Sequence, residues 1–184
     1  MNVETKVIGS GGGGANTVDD WTEIYNRLYA PFPSEYVSWR VGRTNQKYKK
    51  PDEPVRGQVL AYIDARVVMD RLDSVMGFDN WQNTYTPGVG TSIVCNIGLC
   101  INHEWLWKAD GAGPSDIEAD KGALSDAFKR AAVRWGIGRY LYDLKSPWTP
   151  LEQRGNVWVI PEDTLLKLSA MHTREAALLV GNPA

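Results

Sequence analysis

From Trp81 the apolar residues stop recurring every three or four positions and begin to alternate. A set with period two cannot be gathered on one face of a helix, so this stretch has to form strands. "NWQNTYT" reads as the first, "PGVG" as a turn, and "TSIVCNIGLCIN" as a long second strand placing Ile93, Cys95, Ile97, Leu99 and Ile101 on one face. "NHE" is the next turn, and "WLWKADG" sets Trp105 and Trp107 on one face with Leu106 and Lys108 on the other. Turns this short join antiparallel neighbours, giving a three-stranded meander. After "GAGPSDIEAD", Ser115 or Asp116 is a candidate N-cap for a long helix from about Ile117 to Trp135, before Gly136. The expected fold class is α+β, built on an antiparallel β-β-β-α core.

The flanks add a helix and a strand. "DDWTEIYNRLYAPFP" offers an acidic cap at Asp19 or Asp20, then Trp21, Ile24, Tyr25 and Leu28 at helical spacing, with Pro31 beyond the end. "VRGQVLAYI" is strand-like, and Asp64 opens a second helix with an apolar stripe of Ala65, Val68, Met69, Leu72, Val75 and Met76, closed by Gly77. Residues 1–18, containing "GSGGGGANT", are expected to be a flexible glycine-rich leader, because ordering those glycines costs entropy. With 184 residues there is room for one main domain, placed at 19–145. A C-terminal extension over 146–184 holds a hairpin around Arg154 and Gly155, a short helix near Thr164 to Ala170, and a flexible end.

Composition narrows the function. Twenty-two acids against 20 bases leave a formal charge of -2, so any polyanion site has to be a local patch. No apolar run reaches the roughly 20 residues of a membrane span, and the N-terminus lacks an export signal; a cytoplasmic protein with no membrane partner is expected. Cys95 and Cys100 lie on opposite faces of one strand and cannot pair there. His103 and His172 are the only histidines, which leaves no zinc spacing. The leader lacks the Gly-Lys-Ser/Thr ending of a phosphate loop. Asp64, Glu118, Asp120 and Asp126 follow no metal-ligand pattern, and Ser125 has no evident catalytic partners. No cofactor and no enzymatic activity are expected.

The cations are concentrated in two places. "KGALSDAFKRAAVRWGIGRYLYD" sets Lys129 and Arg130 side by side on the long helix, with Arg134 a turn later. Ala123, Ala127 and Ala131 would let that helix lie close on a sheet, leaving the pair at the rim of the packed face. A solvated helix surface, with Asp126 paired to Arg130 at four-residue spacing, explains the same residues. A second run, Arg40, Arg43, Lys47, Lys49, Lys50 and Arg56, is opposed only by Asp52 and Glu53 and is interleaved with Tyr36, Trp39 and Tyr48. Cations follow a phosphate backbone and aromatic rings stack on any base, a mixture suited to single-stranded nucleic acid. Trp39 serves equally as core.

"KGALSDAFKRAAVRWGIGRYLYDL", preceded in order by "APFPSEYVSWRVGRT", "VLAYIDARVVMDRLDSVMGFDNWQNTY" and "SDIEADKGALSDAF", resembles the Rad fifty-two family of single-strand annealing proteins over roughly residues 21 to 145. The likeness is greatest to its DNA damage response protein A branch and related phage annealing proteins. It implies a ring or arc homo-oligomer that holds single-stranded DNA in a positive groove and anneals complementary strands without ATP, in homologous recombination and double-strand break repair. The setting implied is the cytoplasm of a bacterium or a phage-infected cell, with a single-strand binding protein or an exonuclease as companion. By motif, Lys129 and Arg130 correspond to the pair on the groove-lining helix and Arg40 to the cation touching the same backbone. Tyr62 and Arg66 fall in the strand-to-helix region beside the groove. Lys47, Lys49 and Lys50 have two readings, capture of a second strand or a mobile solvated hairpin with no such role. The family's further base one turn after the Lys-Arg pair is Val133 here, with Arg134 following it. The chain ends soon after the core, so recombinase loading is not expected.

Overall fold

The computed structural model describes residues 18–113 and 119–181; most of the expected leader and the candidate caps Ser115 and Asp116 lie outside them. Along the chain, α1 (Val18–Tyr29) precedes β1 (Val37–Thr44), β2 (Arg56–Ile63), α2 (Ala65–Met76), β3 (Trp81–Pro87), β4 (Ile93–Ile101) and β5 (Glu104–Ala112). Then come α3 (Ala119–Arg134), the short strands β6 (Trp148–Pro150), β7 (Glu152–Arg154) and β8 (Val157–Val159), and α4 (Glu162–Gly181).

The alternating stretch forms the expected meander, β3-β4-β5, antiparallel throughout. Leu99 stands opposite Trp81 on one side and Leu106 on the other, which sets Cys95, Ile97, Leu99 and Ile101 on a single buried face. The helix covering that face presents Ala127 and Ala131, both fully buried, so its backbone approaches the strands closely; Phe128 fills the remaining space against Trp81, ring centroids 6.2 Å apart. Trp135 fastens the end of the helix, its indole N–H donating to Ile97 O at 3.1 Å. Gly136, at φ 95°, then turns the chain away. On the opposite face Trp105 and Trp107 lie together, centroids 6.1 Å apart, and Trp107 covers Gly98, where a Cβ would stand 2.9 Å from its ring.

The flank holds more strand than the sequence suggests. "VSWRVGRT" is β1, which pairs with β2 in a second sheet of order β1-β2-β6. Its alternation is broken by a bulge between Val41 and Thr44, and arginines occupy the exposed positions, so the segment reads as a run of charge. Val37, Val59 and Ile63 face the core, with Trp39 half-buried on their side; Arg40 stands opposite Leu60 on the other face, with Tyr62 next along it. Although β6 follows residue 145, it hydrogen-bonds to β2 and completes this sheet.

The helices depart from expectation in detail. α1 begins at Val18, which puts Asp19 and Asp20 within its first turn. Asp64 does cap α2, accepting from Arg66 N–H at 2.8 Å. Val68 and Leu72 are buried, but Met69 is exposed and Val67 packs on the core in its place, because α2 is wedged between α1 and α3 and buries two flanks. Arg71 closes the end of α1 from α2, donating to the carbonyls of Arg27 and Ala30 and lying 4.1 Å over the Phe32 ring. α4 spans 20 residues instead of ending near Ala170. Leu168, His172 and Ala176 recur every four positions and are all buried, so the histidine that interrupts the apolar pattern in sequence continues the stripe in space.

Among the described residues, the His172 side chain is held by one bond. Tyr140 Oη accepts from Phe32 N–H at 3.1 Å and lies 2.9 Å from His172 Nε2, while Nδ1 has no partner among the described residues. Burial lowers the imidazole pKa below its ordinary 6.5. The unfolded chain therefore binds a proton that the folded chain refuses as pH falls through 6.5. Stability is expected to be level above that pH and to decline by up to about 1.4 kcal/mol per pH unit below it, on top of other titrations. Denaturant melts of wild type and His172→Gln from pH 7.5 to 5 check this: the variant should lack that added slope, and equal slopes would place the decline elsewhere.

Candidate nucleic-acid interface

Between the second sheet and α3 runs a groove of about 830 Å³. The exposed face of β1 and β2 forms one wall, with Arg40, Leu60 and Tyr62; α3 forms the other, with Asp126, Lys129, Arg130 and Val133. The end of β5, from Gly111 to Gly113, and the turn after α3, including Gly138, Leu141 and Tyr142, complete the lining. Arg40, Tyr62, Lys129 and Arg130, up to 90 positions apart in sequence, thus face one space. The spacing of α3 explains its share: with Ala127, Phe128, Ala131 and Ala132 committed to the core, residues 129, 130 and 133 fall at the edge of the packed face.

Both cations on α3 are ion-paired, though not as the sequence suggests. Lys129 Nζ contacts Asp126 Oδ1 at 2.9 Å and lies 6.0 Å from the centroid of the Tyr62 ring. Arg130 does not pair with Asp126. It reaches across to β5, donating from Nε at 3.2 Å and Nη2 at 3.1 Å to Asp110 Oδ1, which also accepts from Gly111 N–H at 2.8 Å. Asp110 stands opposite Cys95 and so projects on the α3 side of the sheet, where a guanidinium can engage it with two donors; the shorter-range lysine is left to the neighbour on its own helix. Arg40 has no ion-pair partner among the described residues.

The other expected cations lie elsewhere. Arg43 on β1 and Arg66 on α2 are exposed outside the groove lining. Lys47, Lys49 and Lys50 belong to the loop from β1 to β2, which is tied down: Lys49 Nζ donates to the carbonyls of Lys50 and Pro51, and Trp158 Nε1–H donates to Gln46 Oε1 at 3.0 Å. Tyr48, 81 % exposed, lies beside Lys47. Arg134 is also outside the lining; its carbonyl accepts from Lys108 and Arg139, which close the C-terminal end of α3. Lys108 sits 4.2 Å over the Trp135 ring, its pKa held below the lysine range by burial and then by repulsion from Arg139 and Arg134. Val133, the departure from the family pattern, forms part of the groove wall.

Two contributors escaped the sequence. Tyr142, 71 % exposed at the groove edge, stands in a quoted motif but is unremarkable until the turn after α3 places it. Asp110 is invisible without the pairing of β4 and β5 that aims it at Arg130.

A groove with this lining can hold a phosphodiester backbone on its cations while Tyr62 and Tyr142 offer faces to bases. Comparison with known proteins gives the lineage: the model of the Rad52/22 family double-strand break repair protein matches residues 20–89 and 88–156. The chain belongs to the Rad52/22 family. The matched range extends past the long helix to include β6 and the start of the β7-β8 hairpin, in keeping with the place of β6 in the second sheet. Among curated relatives, the single-stranded DNA-binding protein DdrA of Deinococcus radiodurans is 38 % identical over 131 residues, 69 % of this chain and 58 % of that protein. Its namesake in Deinococcus deserti shows 38 % identity over 131 residues, covering 69 % and 60 % respectively. This Rad52/22 chain spans about three fifths of the length of those relatives.

Proposed function

We propose that this Rad52/22-family chain binds single-stranded DNA along the groove and anneals complementary strands without ATP, serving recombination and double-strand break repair in the cytoplasm of a bacterial or phage-infected cell. One observation carries the proposal: Arg40, Tyr62, Lys129 and Arg130 line a single groove. The match to the repair family and the name of the DdrA relatives support it. Charge holds the backbone and the rings accept any base, so binding is insensitive to sequence and base edges stay available for pairing. A chain of net charge -2 can bind a polyanion in this way if several copies form a ring or arc that joins their patches into one track. Of the cations outside the groove, Lys47, Lys49 and Lys50 fall to the approach of a second strand, while Arg43, Arg66 and Arg134 take no part in the groove lining. A single-strand binding protein or an exonuclease is the expected companion.

The test is the rate at which two complementary dye-labelled oligonucleotides pair without ATP. Acceleration that scales with protein concentration is the expected result, together with an oligomeric mass at micromolar protein. Binding and nuclease protection without acceleration would replace annealing by shielding of single-stranded ends. Failure to bind at physiological salt would remove the nucleic-acid function.

A further inference from the structure

The groove contains its own counter-ions. Lys129 is held by Asp126 at 2.9 Å and Arg130 by Asp110 through two donors, so two of the three groove cations are neutralised before any ligand arrives. Of these three, only Arg40 lacks an ion-pair partner among the described residues. The acids are not needed to keep the fold together: exposed pairs of this kind contribute about 0 to 1 kcal/mol. Nor do they serve as buried anchors, since the Asp126 side chain is 51 % exposed and that of Asp110 27 %.

We infer that Asp126 and Asp110 are built-in counter-ions that compete with the DNA backbone for Lys129 and Arg130 and so set how firmly the groove holds a strand. The inference rests on single-strand binding in that groove. A phosphate approaching Lys129 meets an ammonium already hydrogen-bonded to Asp126, and has to displace or share that partner. At Arg130, Asp110 takes the Nε–H and one Nη2–H and leaves the second Nη2–H and the two Nη1–H donors for a phosphate. The two acids differ in how readily they yield. Asp126 offers one contact from the same helix, three positions away, whereas Asp110 Oδ1 is fixed by Gly111 N–H as well as by Arg130. Lys129 is therefore the cation released first and Arg130 the one that stays partly tied.

The salt dependence of binding carries the signature. A cation paired to a protein carboxylate brings little net charge to the backbone, so few of the cations condensed on the DNA are released; once freed, it neutralises a phosphate in full, and the slope of log affinity against log salt steepens by up to about 0.7 per cation on a single strand. An effect of packing alone would leave that slope unchanged. Removing a carboxylate also removes its repulsion of the phosphate, which at surface screening tightens binding about three- to tenfold.

The experiment is fluorescence anisotropy of a labelled oligothymidylate with the full chain across a salt series, comparing wild type, Asp126→Asn, Asp126→Glu and Asp110→Asn, with thermal melts confirming the fold. Both asparagine variants are expected to bind more tightly than wild type and with a steeper slope, Asp126→Asn most, and Asp126→Glu should behave as wild type. Asparagine variants that melt normally but bind as wild type or more weakly would overturn the inference while leaving the groove function standing. If wild type and every variant fail to bind at low salt, it is single-strand binding itself that fails.

Discussion

Replacing Lys129 and Arg130 together by alanine is expected to weaken binding to single-stranded DNA by roughly 30- to 1000-fold at moderate salt, the equivalent of about 2 to 4 kcal/mol from two charge-assisted contacts. The two side chains line the groove from one helix, and their loss leaves Arg40 as the one basic side chain in its lining among the described residues. The weakening should be the same for oligonucleotides of any sequence, because charge and not base edges makes the contact. The slope of log affinity against log salt should fall in magnitude by about 1.4, two contacts at 0.7 each, less whatever Asp126 and Asp110 already neutralise. Stability should hardly change, since the exposed pairs that disappear are worth about 0 to 1 kcal/mol each. Annealing follows binding and should be lost with it. Wild-type affinity in the folded double variant would show that the DNA track lies elsewhere, with the loop of Lys47, Lys49 and Lys50 the next place to mutate.

The parts of this fold that were legible are those in which a local rule and a tertiary requirement agree. Alternation from Ile93 to Ile101 defines a strand face, and that face is the one buried under α3. Asp64 is the right residue for an N-cap, and it caps. Illegible features arise where the two conflict. In β1 the arginines sit on the exposed face and a bulge shifts the register, so charge masks the period. In α4 a buried histidine replaces an apolar residue and conceals about three further turns of helix. The site divides in the same manner. Lys129 and Arg130 are adjacent in sequence and can be seen there as a pair, and Arg40 and Tyr62 join them because β1 and β2 set both on one face. The partner of Arg130 comes from a strand 20 positions earlier, and nothing in the local sequence distinguishes Asp110 from Asp126, which has the better helical spacing.

The other large effect is expected at Tyr140. Tyr140→Phe should lower stability by about 2 to 5 kcal/mol and the melting temperature by about 4 to 20 °C. The ring is fully buried and phenylalanine fills its volume, so the loss comes from the hydroxyl alone. That oxygen accepts from Phe32 N–H and bonds His172 Nε2, joining the chain after α1 to α4 across the turn that follows α3. Without it a backbone N–H and an imidazole nitrogen are buried with no partner, each costing about 1 to 3 kcal/mol. His172 already carries one such atom in Nδ1, so among the described residues its side chain bonds only to this hydroxyl. A double variant, Tyr140→Phe with His172→Leu, should then be less destabilised than the sum of its single changes, because the second removes a group the first has orphaned. Binding offers an independent measurement. Tyr140 is outside the groove lining although Gly138, Leu141 and Tyr142 are within it, so well below its melting temperature Tyr140→Phe should bind DNA as wild type does. A large loss of affinity in the folded variant would mean that the turn after α3 is positioned by this bond, and that the wall carrying Tyr142 depends on the docking of α4.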